Sequence, residues 1–146
     1  MSQLELNDRT LILHRFPQMR DESPLQAWDA ADEYLLQQAL PEGPVLVFND
    51  SFGALTCGLN PRPVWHVSDS WLSQQAARQN LSFNGMDDSD VHFIDSLAAL
   101  PASPAAVLIK VPKTLALLEH QLRAIRKVVT PETVILAAAR AKEIHN

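Results

Sequence analysis

Val45-Leu-Val-Phe-Asn-Asp-Ser-Phe-Gly-Ala-Leu55 is the stretch that decides the fold. Four apolar residues in a row, Val45 to Phe48, read as a strand buried on both faces, and the chain then breaks into a short loop before a second apolar run. Nucleotide-binding folds keep the glycines that cradle a phosphate or a nucleoside cofactor in such a loop. This loop has a single glycine, Gly53, and places the bulky Phe52 beside it. A ligand that approaches backbone closely needs glycines, which carry no side chain and accept positive φ. The layout therefore predicts a nucleoside-cofactor architecture, while the loop predicts that the cofactor does not bind and that the Phe52 ring fills the cavity from inside.

Downstream the pattern alternates. Apolar runs at 63–67, 91–94, 105–109 and 133–137 read as further strands, separated by helical segments near 54–59, at 71–80 with Asp69 or Ser70 as cap, and at 115–128. Strands alternating with helices indicate right-handed crossovers, and the fold class is α/β with a doubly wound, mostly parallel sheet. Upstream, residues 10–14 suggest a short strand. A helix is expected to start at Ser23-Pro24-Leu25-Gln26, where Ser23 can cap, Pro24 suits the first helical position and Gln26 can complete a capping box. Its apolar positions would be Trp28, Ala31, Leu35 and Ala39, with Pro41 and Gly43 ending the run. The organisation is one domain: a helical lead-in over 1–43 and an alternating core over 44–146, whose last residues, 139–145, look like a helix begun and cut off.

A chain of 146 residues buries roughly 70% of the surface its unfolded form exposes, so a real core is expected. The only cysteine, Cys57, rules out an internal disulfide and fits a reducing compartment, and no Cys/His spacing resembles a zinc site. No basic-then-apolar leader or membrane-spanning stretch is present, so a cytoplasmic protein is expected. Net charge is −5, but its distribution is uneven. Residues 1–100 carry five Arg against fourteen Asp or Glu; residues 101–146 carry seven Lys or Arg against three Glu. The C-terminal third is the cationic side, either as an interaction face or as ordinary surface.

In open α/β sheets ligands sit at the carboxyl ends of strands, and three of those ends carry acids: Asp50, Asp69 and Asp95. An acid after the second core strand suits ribose hydroxyls, and one after the third could meet an adenine amino group. Turns and helix caps use Asp at the same places, which is the reading favoured without a glycine loop. The fourth core strand ends Ile109-Lys-Val-Pro-Lys113, which lacks the acceptors and flat ring that methyl transfer to a base nitrogen requires. Lys110 and Lys113 could instead contact phosphates. In the last helix Leu115, Leu118, Leu122, Ile125 and Val129 are expected to form the apolar face. Arg123, Arg126 and Lys127 lie on the polar face, with Glu119 placed to pair with Arg123. Asp50-Ser-Phe-Gly53 departs from a nucleophile elbow because Asn49 replaces the first glycine, and no histidine is offered as a base.

Three segments carry a resemblance: Pro24-Leu-Gln-Ala-Trp-Asp-Ala-Ala-Asp-Glu-Tyr-Leu-Leu-Gln-Gln38, Asn49-Asp-Ser-Phe-Gly-Ala-Leu55, and Val107-Leu-Ile-Lys-Val-Pro-Lys-Thr-Leu-Ala-Leu-Leu-Glu119 continuing to Arg126-Lys-Val-Val129. Over essentially its whole length the chain resembles the N-terminal domain of the ribosomal RNA large subunit methyltransferase G family, the 23S rRNA guanine-N2 methyltransferases related to small-subunit methyltransferase C. That resemblance implies two Rossmann-like methyltransferase folds in tandem. The C-terminal copy would carry the S-adenosylmethionine loop and an Asn-Pro-Pro-aromatic catalytic motif. The copy in this chain would be degenerate, with no catalytic residue, no metal and no bound cofactor. Its partners would be 23S rRNA, met through Lys110, Lys113, Arg123, Arg126 and Lys127, and its own catalytic domain; packing on that domain alone is the alternative, and cofactor-binding methyltransferase activity of this copy itself is the third reading.

Overall fold

A computed structural model describes residues 2–6, 8–15 and 27–139. The lead-in is not helical throughout. It opens with an antiparallel hairpin, β1 (Ser2–Glu5) against β2 (Thr10–Leu13), and only then reaches α1 (Ala30–Leu36). The free side of β2 docks on the next layer through two asparagines at the later helix 71–83. The Asn84 side chain both accepts from Ile12 N (2.7 Å) and donates to Ile12 O (2.7 Å), and Asn80 does the same with His14 (2.8 and 2.9 Å). Side-chain amides thereby replace the strand that would otherwise be needed to satisfy the exposed edge.

Helix α1 starts later than the sequence suggests. The Ser23–Gln26 start lies outside the described residues, and Ala27, Trp28 and Asp29 precede the helix. Its cap is Asp29, whose carboxylate accepts from Asp32 N (3.1 Å) while the Asp32 carboxylate accepts from Asp29 N (3.0 Å). An aspartate at the third helical position thus does the work expected of a glutamate or glutamine in a capping box. The helix stops at Leu36, short of Pro41.

Strands β3 (Val45–Phe48), β4 (Val64–Val67), β5 (Val91–Ile94), β6 (Ala106–Lys110) and β7 (Val134–Ala138) make one all-parallel sheet in the order β5-β4-β3-β6-β7. The chain winds outward from β3 through α2 (Ala54–Leu59) and α3 (Trp71–Phe83), then returns to β6 and winds the other way through α4 (Leu115–Arg126). Every residue of β3 and β6 is buried, which is why these runs are continuously apolar, whereas β7 at the edge alternates between half-buried and exposed. One face of the sheet packs Val45, Val47, Val64 and Leu108 against Leu35 of α1 and Leu55 of α2. The other packs Leu46, Phe48, Val67, Val107 and Ile109 against Ile125 and Leu118 of α4. The doubly wound parallel α/β class is therefore observed, with strand boundaries within one residue of the apolar runs.

The apolar face of α4 differs from the expected one. Leu118, Gln121 and Ile125 turn inward, while Leu115 and Leu122 are 69% and 45% exposed. The inner stripe has a polar member, Gln121, that a search for leucines passes over.

Candidate functional site

The sheet order reverses between β3 and β6, so the place to seek a ligand is the carboxyl edge at that crevice. It is closed by a pair of side-chain amides. Asn49, at φ 69° just past β3, donates from Nδ2 to Lys110 O (2.8 Å) and to Gln121 Oε1 (3.0 Å), and Gln121 Nε2 donates back to Asn49 Oδ1 (2.9 Å). What remains is a cleft of about 330 Å³ on the β4 side, lined by Asn49, Val67, Ser68, Ser96, Leu117 and Gln121 among others. That is near the lower limit for a small-molecule pocket.

Phe52 does not fill this cleft, contrary to expectation. Its ring packs against the cluster that includes Leu11, Leu13, Ala54 and Leu81, the Arg15 guanidinium lies 4.8 Å from the ring centre, and its carbonyl accepts from Asn80 Nδ2 (2.7 Å). The amide pair, not the aromatic ring, narrows the crevice. Gly53 (φ 96°) precedes α2, but its missing side chain serves the protein. A Cβ there would lie 2.6 Å from Ala77 Cα, so the glycine lets α3 approach the loop.

The three strand-end acids are all engaged. Asp50 is buried and accepts from Leu55 N (3.3 Å), Thr56 N (2.9 Å) and Thr56 Oγ1 (2.7 Å), so it anchors the first turn of α2 that Gly53 cannot cap. Because Thr56 donates to Asp50, its oxygen is left to accept from His66 Nδ1–H at 3.1 Å; burial holds His66 below its usual range. Asp69 accepts from Ser96 N (2.8 Å), and that bond holds its carboxyl below the ordinary range. Ser70, not Asp69, caps α3 by accepting from Ser73 N (3.1 Å). Asp95 accepts from Leu97 N (2.9 Å) and Ala98 N (3.0 Å) and shapes its own turn.

The fit to S-adenosylmethionine is therefore poor at the loop and at the reversal, although Asp69 lines the cleft that remains. The loop amides at the start of α2 point to Asp50, the glycine faces α3, and the crevice at the reversal is bridged. Among the described residues no group of three or more His, Cys, Asp or Glu is placed to hold a metal ion. Nor is any described helix long and apolar enough to cross a membrane.

The five basic residues do not share one surface. Lys110 is 7% exposed, and its ammonium sits 3.2 Å from Asp29 and 3.1 Å from Asp32. Burial pulls the Lys110 pKa down, but Asp32, Asp29 and Asp50 outweigh it and hold the group above its ordinary value, so it stays charged. Burial, together with Asp50 and Asp29, pushes Asp32 up to about 7 against the pull of Lys110. Lys110 thus fastens α1 to the tip of β6 and is unavailable to a phosphate. The other four are exposed. Arg123, Arg126 and Lys127, with Glu119, fall on one stripe of α4, and the Glu119 carboxylate lies 3.7 Å from Arg123 Nη2. Lys113 precedes the opposite end of that helix, ~20 Å away along the axis at 1.5 Å per residue. Sequence reading missed Asn49–Gln121 as a bridge and Asp29/Asp32 as the lysine's partners. Their only signal was a polar residue on an otherwise apolar stripe and an acid pair three apart at a helix start.

Known proteins share both this sequence and this sheet. Ribosomal RNA large subunit methyltransferase G of Erwinia tasmaniensis is 70% identical over 99% of this chain, and its namesake in Cronobacter sakazakii is 62% identical over 99%. The chain spans about 40% of the length of these relatives. Among solved structures, a SAM-dependent methyltransferase from Agrobacterium tumefaciens superposes with a TM-score of 0.65 over 96% of this chain and 52% of that one. At 17% identity that shows a common fold. The family profile for the RLMG N-terminal domain matches residues 1–146, end to end, so a methyltransferase-like sheet whose ligand crevice is bridged from within belongs to the family of RLMG N-terminal domains.

Proposed function

We propose that this chain is the non-catalytic N-terminal domain of an S-adenosylmethionine-dependent 23S rRNA guanine-N2 methyltransferase, acting in the cytoplasm, and that it helps to hold the RNA. The longer relatives carry the rRNA methyltransferase name, and the catalytic work and the cofactor belong to the part of the protein beyond this domain. The observation that carries the reading is the Asn49–Gln121 bridge across the sheet reversal, together with the consumption of Asp50 and Gly53 by α2 and α3. A domain that keeps the methyltransferase sheet while spending its ligand-binding groups on its own stability has a different job. Exposed positive charge on α4 supplies one: Arg123, Arg126 and Lys127 can neutralise phosphates, with Lys113 as a separate contact at the other end.

The test uses the full-length protein and a 23S rRNA fragment, with affinity measured across a salt series. Replacing Arg123, Arg126 and Lys127 together by glutamine should flatten the dependence of log affinity on log salt by roughly 2, at about 0.7–0.9 for each phosphate no longer neutralised, and leave the domain folded by circular dichroism. An unaltered slope would remove α4 from the RNA interface. The alternative, a domain that serves only to pack on the catalytic half, draws on the exposed Leu97 and Leu115 and predicts that unaltered slope.

A further inference from the structure

The cleft of about 330 Å³ on the β4 side of the carboxyl edge is rich in hydroxyls and holds a single charged group, Asp69. The Ser68 and Ser70 oxygens each accept a backbone N–H, from Ser70 (3.1 Å) and from Ser73 (3.1 Å), so their own O–H hydrogens remain to be donated. A carboxylate offers about four acceptor sites, and the bond from Ser96 N takes one of those on Asp69. Charge and polarity then select what fits. Asp69 is held below its ordinary range and is ionised at neutral pH, so a phosphate is repelled. An ammonium is matched by Asp69 but poorly by Ser68 and Ser70, which have a hydrogen to give and an acceptor site already filled. The 2′-hydroxyl of RNA, which donates and accepts at once, is matched on both counts. Val67 and Leu117 supply an apolar wall for the C–H side of a sugar ring. A base edge finds no reader, because the amides of Asn49 and Gln121 are spent on each other and on Lys110 O.

We propose that this cleft receives the ribose of one unpaired nucleotide of the bound RNA, with Asp69 accepting from its 2′-hydroxyl and the serines donating to its oxygens. The inference rests on the reading that this domain holds RNA. It uses only the part of the carboxyl edge that the Asn49–Gln121 bridge leaves open, whereas S-adenosylmethionine would also need the loop and the reversal. The nucleotide has to be unpaired, because a duplex displays its 2′-hydroxyls in a broad, shallow groove that does not enter a concave site. Lys113, exposed just ahead of the α4 turn that brings Leu117 to the cleft, stands at the same edge for the flanking phosphate that Asp69 keeps out. The contact tells RNA from DNA and reads no base.

Binding of the full-length protein to two versions of the 23S rRNA fragment tests the proposal, one native and one whose unpaired nucleotides are 2′-deoxy. The parent should bind the deoxy version about ten-fold more weakly, the worth of one charge-assisted hydrogen bond, and with the same salt slope because no phosphate contact is lost. Asp69→Ala should bind both versions alike, at the weaker affinity. Ser73→Leu fills the cleft while leaving the Asp69–Ser96 bond in place, and should do the same in a protein that circular dichroism shows to be folded. Saturating adenosine should leave the parent's affinity for RNA unchanged. Equal binding of the two versions by the parent would overturn the proposal, as would discrimination that survives in Ser73→Leu. Competition by adenosine that Asp69→Ala abolishes would give the cleft to a free nucleoside instead. The two readings fail separately: an unaltered salt slope in the Arg123, Arg126 and Lys127 variant counts against α4, and a lost 2′-hydroxyl effect counts against the cleft.

Discussion

Lys110 closes a strand whose five residues are all buried, so its ammonium has to find partners inside the fold. Asp29 and Asp32 provide them, and the result is a buried ion triad, not a phosphate contact. Removing the lysine would leave two carboxylates facing each other with one of them fully enclosed. Lys110→Met should therefore cost about 1–3 kcal/mol in urea unfolding at neutral pH, because the enclosed Asp32 carboxyl loses its partner and takes up a proton. Lys110→Met with Asp32→Asn should recover part of that loss, since the carboxyl left without its partner goes with it. A single variant as stable as the parent would show that the triad contributes nothing. None of this is legible in Lys110 itself. Its partners lie 81 and 78 residues away in sequence, and an apolar run ending in Lys-Val-Pro-Lys reads equally well as a solvated strand end. Asp50 and Asp69 were easier: an acid just after a strand is ambiguous between ligand and turn, and the missing glycines favoured the turn.

At the scale of elements, Gly53 shows how the loop that looks like a cofactor cradle has been turned to packing. Its φ of 96° suits glycine, and its open side is where the α3 backbone at Ala77 approaches. Gly53→Ala adds left-handed strain of about 1–2 kcal/mol and a clash with backbone that cannot swing aside, for a total of about 2–4 kcal/mol in urea unfolding. An alanine tolerated without loss would mean that α2 and α3 are not held as closely as the structure places them. The existence of α2, α3 and α4 was legible from their apolar spacing and from Ser70 as a cap. The inner face of α4 was not, because Gln121 reaches the core by pairing with Asn49, a tertiary contact that no helical period records. The start of α1 was missed for a similar reason. Asp29 and Asp32 cap each other and are fixed further by Lys110, a long-range contact that the local sequence does not record.

For the whole molecule, the alternation of buried strands with helices was enough to give the parallel, doubly wound sheet, because each crossover has only one favoured hand. What the alternation leaves open is whether the crevice at the reversal is open or shut, since that depends on Asn49 meeting Gln121 across 72 residues of chain. With the crevice bridged, this domain should add no cofactor site of its own to the full-length protein proposed above. Calorimetric titration of that protein with S-adenosylmethionine should give one site per chain. Gln121→Ala removes one half of the bridge but adds neither the glycines nor the free loop amides that a cofactor needs, so it should leave both stoichiometry and affinity unchanged. Two sites per chain would contradict the reading of this domain as non-binding. A change of affinity in Gln121→Ala would show that the crevice takes part in holding the cofactor after all.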